Sequence, residues 1–255
     1  MVIRQQQMET FSKAAERNFE NEMCEHLMTF SPLHCGTLGE PVIRRVVRTG
    51  MARAEEYGFT NRGPVRFYIE LMIQLGTGFD TDPQLQWAST TLRAADPASQ
   101  DERAELLYRR AVNYLDAVFG PRYEYEKQSL GRAERLTFDD LLRVADGSAD
   151  TLLQALAWLH PQKMAYAGKA AADSVIELAA ERAREHGLGD QRGHVVLAGL
   201  MYAFGHRCLT DPQFPWIASS LTDKVQRASG ATVEYLFVRG VGYARESLAA
   251  LEVSG

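Results

Sequence analysis

An internal repeat restricts this chain more than any other feature. TDPQLQWA at residues 81–88 returns as TDPQFPWIA at residues 210–218, and aligning Trp87 with Trp216 sets an offset of 129 residues that carries in both directions without a gap. Arg53, Ala54, Glu56 and Gly58 recur as Arg182, Ala183, Glu185 and Gly187, and Leu71, Met72 and Gly76 as Leu200, Met201 and Gly205. Further out, Glu105, Arg110, Val112 and Tyr114 match Glu234, Arg239, Val241 and Tyr243, while Leu27 and Pro32 match Leu156 and Pro161. Matches spread this widely at one register predict a tandem duplication: units at 1–126 and 130–255, joined near EYEKQSLGRAE. The period is too long for a solenoid repeat, so each unit should be a small domain, the two packed as pseudo-symmetric halves.

Periodicity predicts that each unit is a helical bundle. Met8, Phe11, Ala15, Phe19, Met23, Leu27 and Phe30 recur every three or four residues and should line one face of a first helix. SPLHCGTLGEP should break it. Ile43, Val46, Val47, Gly50, Ala54 and Tyr57 form a second stripe ending at Gly58, repeated as Ala172, Val175, Ile176, Ala179, Ala183 and His186 before Gly187. A third helix is expected at about 64–75, and its partner HVVLAGLMYAF, apolar almost all round, should be central and buried. Last helices are expected at about 101–119, after the capping-box spacing of Ser99 and Glu102, and at about 232–251. No alternating strand is legible, so the fold class is all-α.

The repeated octet reads first as a helix start. In each copy the aspartate, Asp82 or Asp211, suits an N-cap, and the proline, Pro83 or Pro212, suits the first helical position, where its missing N–H costs nothing. Trp87 and Trp216 follow about one turn later and are expected to pack against neighbouring helices; the competing reading makes these residues the rim of a partner-binding surface. Metal binding by Asp80 and Asp82 is disfavoured because the second copy has Leu209 in place of Asp80.

Signatures of catalysis are missing. There is no HExxH, GxSxG or complete GxGxxG, and Lys163 and Ala170 interrupt the only approach to a phosphate loop, around Gly168-Lys169. His34, Cys35, His206 and Cys208, each present in one copy only, are the alternative: a Cys/His site for a metal or a nucleophile. No cofactor is indicated. A net charge of -5 and a pI near 5.7 exclude nucleic acid as a main ligand and suit a basic protein surface. Three scattered cysteines fit a reducing compartment, the longest mostly apolar run is about half the ~20 residues needed to cross a bilayer, and the N-terminus lacks a secretory core, so the expected location is cytoplasmic.

The runs IRQQQMETF, FxNEMxxHLxxFSPLHCxxLGE and YGFTxRGPVRFYIELMIQLGTGFDTDPQLQWA resemble a group of largely uncharacterised bacterial proteins associated with type VI secretion clusters, near spike and PAAR-type genes. The resemblance covers about the first 95 residues and carries no catalytic motif. It implies a cytoplasmic, non-enzymatic accessory protein that binds an effector or spike component, as adaptor, chaperone or immunity protein. Across two pseudo-symmetric units, a cleft between them is the expected place for a basic toxin surface. The alternatives are an effector or enzyme built on the one-copy Cys/His residues, or a purely structural scaffold.

Overall fold

The computed structural model describes residues 5–94, 99–146, 148–222 and 231–253, and no strand occurs among them. The helices run α1 (Gln5–Phe30), α2 (Pro32–Leu38), α3 (Glu40–Glu56), α4 (Arg62–Leu75), α5 (Gln86–Leu92), α6 (Gln100–Val118), α7 (Glu124–Ala133), α8 (Phe138–Ala145), α9 (Ala149–Leu159), α10 (Pro161–Ala167), α11 (Lys169–Glu185), α12 (Gln191–Phe204), α13 (Pro215–Thr222) and α14 (Thr232–Val253). The bounds of α2, α3 and α4 recur 129 residues later as those of α10, α11 and α12. None of these helices is long and apolar enough to cross a membrane.

Local chemistry explains most boundaries. The α3 stripe is buried at Ile43, Val46, Val47, Gly50 and Ala54, and each full aliphatic side chain removed from water contributes about 1.5–3 kcal/mol. At its end Gly58 takes φ +75°, and the amides of Gly58 and Phe59 donate to the carbonyls of Glu55 and Ala54, the paired bonds of a Schellman stop. Gly187 and Leu188 repeat those bonds to Arg184 and Ala183. The Ser99 hydroxyl accepts the Glu102 amide at 3.1 Å and starts α6.

SPLHCGTLGEP ends α1 at Phe30 as expected, but most of it is itself helical: Pro32 occupies a first-turn position that needs no amide, so α2 forms, and Gly39 at φ +78° turns the chain into α3. The α1 stripe, in turn, is buried only in its second half. Met23 and Leu27 are in the core and Phe19 packs against it, but Ala15 is exposed, Phe11 is 68% exposed and Phe30 37%. The Met8 side chain lies outside the described residues.

One hydrophobic core draws on residues 23–118 and another on residues 141–236. Helix α12 is buried along Val195–Ala198 and Leu200–Tyr202. The halves meet where α10 packs on α6 and where the turn Pro83–Leu85 packs on α11, and α7, which carries the chain from one to the other, packs on α14.

Candidate functional site

The repeated octets come together at the junction of the two halves. Asp82 Oδ1 accepts the Gln84 amide at 2.8 Å, the local cap expected of it, although the element capped is the 3-10 turn Pro83–Leu85 and α5 starts three residues after the proline. Its other oxygen crosses to the second half and accepts the His206 amide at 2.8 Å. Asp211 does the same in reverse: Oδ1 accepts the Gln213 amide at 2.9 Å and Oδ2 the Thr77 amide at 2.7 Å. The glutamines also cross, Gln84 Nε2 donating to Met201 O at 3.2 Å and Gln213 Nε2 to Met72 O at 2.8 Å. Every one of these bonds has a mate 129 residues away, so the junction has local two-fold pseudo-symmetry of the kind found at an isologous dimer interface.

Glycine is required where the two backbones pass. Gly76 and Gly205 sit at φ +90° and +92°, and a Cβ on Gly76 would lie 3.0 Å from Phe204 O, one on Gly205 3.1 Å from Asp82 Oδ2. At the axis itself the equivalent positions 78 and 207 face each other. A Cβ on Gly78 would meet the Arg207 side chain at 2.6 Å, so the missing side chain on one half makes room for the long one on the other.

The electrostatics are less symmetric than the geometry. Burial pushes the Asp82 carboxyl up, but the His206 ring, Lys163 and the Gln84 amide together hold it below the usual carboxylate range. Its Oδ2 lies 3.4 Å from His206 Nδ1, an ion-pair distance when the ring is protonated, though not aligned as a hydrogen bond. For Asp211 burial wins, and its carboxyl is raised despite the Gln213 and Thr77 amides. Lys163 is buried, donates to Tyr202 O and lies 5.1 Å from the Tyr202 ring; burial lowers its pKa, with Asp82 and Glu126 acting against that. His34, its equivalent, instead meets Gln213 Oε1 at 2.9 Å, so of these two glutamines it is Gln84 whose Oε1 has no hydrogen bond.

The structure thus brings Asp82, Pro83, Asp211 and Pro212 into one junction and also places His34 and His206 there, each against the opposite half. Trp87 and Trp216 are half-buried at the edges of the two cores, Trp87 5.8 Å from Tyr114 and Trp216 6.3 Å from Phe204, their indole N–H groups unpaired. Cys35 and Cys208 are buried in different cores. Burial pushes the Cys35 thiol up to about 11 and the Cys208 thiol further, so neither supplies thiolate near neutral pH. Among the described residues no group of three or more His, Cys, Asp or Glu side chains is arranged to hold a metal ion.

Gln84, Gln213 and Lys163 are the members that the sequence reading did not single out. The glutamines were visible in principle, since each follows Asp-Pro in both copies. A second buried network was not: Asp80, fully buried, takes Arg53 on both oxygens and the hydroxyls of Tyr57 at 2.9 Å and Tyr68 at 2.8 Å. At the equivalent positions Leu209 and Leu197 are apolar and Arg182 pairs with Glu185 on the surface.

A crevice at the junction, lined by Gly76, Asp82, Gly205, His206 and Arg207 among others, holds about 140 Å³ of empty space including its open mouth. Small-molecule pockets are typically ~300–1,000 Å³. The junction is built to join the halves, its carboxylate oxygens already occupied by backbone amides. Comparison with family models, curated proteins and solved structures finds no match.

Proposed function

We propose that this chain is a non-enzymatic, protein-binding scaffold made by tandem duplication, and that it serves a bacterial type VI secretion or toxin system in the cytoplasm by binding an effector or spike component, as adaptor, chaperone or immunity protein. The secretion setting rests on the resemblance of the first 95 residues. Duplication is supported by the recurrence of helix bounds, of positive-φ glycines and of the cross-junction hydrogen bonds at one offset.

The observation that carries the non-enzymatic reading is the use of the buried carboxylates. Asp82 and Asp211 each accept an amide from their own half and another from the opposite half, so the groups best placed to do acid–base chemistry hold the scaffold together instead. The acidic balance, -5 overall, suits a basic partner. The test is affinity purification of the tagged chain expressed with its neighbouring genes, paired with deletion of its gene. Retention of a spike, PAAR-domain or toxin protein, with loss of secretion or of self-protection on deletion, is the expected result; no retained partner and no phenotype would overturn the proposal.

A further inference from the structure

The two halves differ most in what covers one face. In the second half, α8 lies on α12, with Leu141 and Ala145 buried, Phe138 and Val144 packed against the core, and the Phe138 ring edge-on to Phe237 of α14 at 5.8 Å. Val195 and Val196 on α12 are buried. At the same positions in the first half, Arg66 is exposed and Phe67 only half-buried, and Tyr108, the equivalent of Phe237, is 52% exposed with its ring 5.7 Å from Phe67. Leu106 beside it is 37% exposed.

The chain segment equivalent to α8, residues 9–16, does not fold back. In the second half the helix is interrupted between Ala145 and Ala149, which lets α8 turn over the bundle; the matching positions, residues 17–19, lie inside the unbroken α1. Because α1 is anchored to the core from Phe19 onward, its beginning cannot reach the α4/α6 face of its own half. Residues 10–18 are all exposed, including the apolar Phe11 and Ala15. Among the described residues, then, no counterpart of α8 lies on the Phe67–Tyr108 face, while residues 11–18 of α1 stand exposed.

We propose that the α4/α6 face centred on Phe67 and Tyr108 receives the beginning of α1 from a second copy of this chain, so that two copies exchange helices about a two-fold axis. The occupant is set by chain position: the same stretch of the unit covers this face in the second half, and straightening of the intervening hinge is how a segment is passed between copies. The face has the composition of an association surface, with Phe67, Tyr108 and Leu106 beside the ion-paired Arg66. A reciprocal exchange closes on itself and stops at a dimer.

The test uses the full chain, purified alone, in light scattering coupled to size exclusion over a concentration series. A dimer is expected, and Phe11→Glu and Tyr108→Glu should each raise its dissociation constant about tenfold or more, the scale of an interface hot spot, with the thermal midpoint of the monomer unchanged. A cross-link adds geometry. Phe11→Cys chains mixed with Tyr108→Cys chains should form a disulfide-linked pair under oxidation that neither forms alone, the native cysteines all being buried. A chain that stays monomeric to about 100 μM, a dimer indifferent to both glutamates, or no cross-link in the mixture would overturn the exchange. A monomer that still captures a spike or toxin protein would sink this inference and leave the proposed function standing; a dimer without a partner does the reverse.

Discussion

Replacing Asp82 by alanine tests the junction most directly. The carboxylate is the acceptor for two backbone amides, Gln84 and His206, each at 2.8 Å, and for Gln84 Nε2 at 3.2 Å. A buried donor left without an acceptor costs about 1–3 kcal/mol, so stranding the two amides should cost about 2–6 kcal/mol, a large share of the ~5–15 kcal/mol that stabilises a typical protein. Asp211→Ala strands the Gln213 and Thr77 amides in the same way. The two losses should nevertheless differ. Asp82 is held ionised by His206 and Lys163, whereas burial destabilises the charge on Asp211, so deleting Asp211 also removes an unfavourable term. Urea unfolding at neutral pH should therefore show both variants destabilised, Asp82→Ala the more. With a slope of about 2–3 kcal/mol per M, a 3 kcal/mol loss moves the midpoint by about 1 M or more. Midpoints corresponding to less than about 0.5 kcal/mol, the size of a surface substitution, or the opposite order, would refute the reasoning. The pH dependence supplies a second check. Asp82, with its folded pKa below the ordinary 3.8, contributes stability that is present above 3.8 and lost as pH falls through the folded value, so Asp82→Asn should flatten the acid limb. Asp211 has the opposite sign: its raised pKa gives stability present below 3.8 and lost as pH rises through the folded value, so Asp211→Asn should remove that loss.

Other outcomes follow from packing and burial. A Cβ on Gly50 would lie 2.6 Å from Ile69 Cγ1 and 2.9 Å from Met72 Sδ, so Gly50→Ala should lower stability by about 1–3 kcal/mol in spite of alanine's helix propensity; adding Ile69→Ala, which reproduces the Ala179 and Ala198 pair of the second half, should remove the closer contact and leave only the one with the flexible Met72 side chain, so the second change should cost less in the Gly50→Ala background than in the wild type, which thermal melts of the two single variants and the double decide. Cys24, Cys35 and Cys208 should resist a thiol reagent at pH 8 until the protein is unfolded, since all three are buried and burial raises each thiol; prompt labelling in native buffer would contradict this. Because the pKa of Lys163 is lowered, the unfolded chain binds the extra proton just below 10.5 and wild-type stability gains a rising contribution there, which Lys163→Met should abolish in melts across that range. Trp87→Ala and Trp216→Ala should each cost about 3 kcal/mol, at the lower end for buried aromatics because both side chains are half-exposed.

The parts of the fold legible in the sequence are those set by short-range rules. The buried stripe of α3 and its stop at Gly58 depend on side chains within one helix and on a glycine next to it, and the capping spacing of Ser99 and Glu102 is likewise local. Helix α2 was obscured because proline and glycine mark both the ends of helices and the loss of helix, and a seven-residue stretch has too few apolar positions to decide between them. The exposed start of α1 was obscured for another reason: amphipathic spacing says that a face is apolar, while its burial depends on what stands opposite. At the junction the sequence displayed the local half of each aspartate's work, the cap on Gln84 or Gln213. The other half reaches more than a hundred residues along the chain, to His206 and Thr77. Its traces were Gly76 and Gly205, kept in both copies where the two backbones pass. The Lys163 and His34 exchange left no such trace, because unlike residues at one offset say nothing about which opposite group each will meet.

The facing of Gly78 and Arg207 makes the two halves unequal factors of one product. A fusion of two first halves would bring glycine against glycine and leave the axis uncovered, and a fusion of two second halves would force two arginine stems together where one now lies over Gly78. Only the mixed pair closes. Neither half can therefore be replaced by a further copy of the other, and a change that enlarges position 78 has to be answered at position 207.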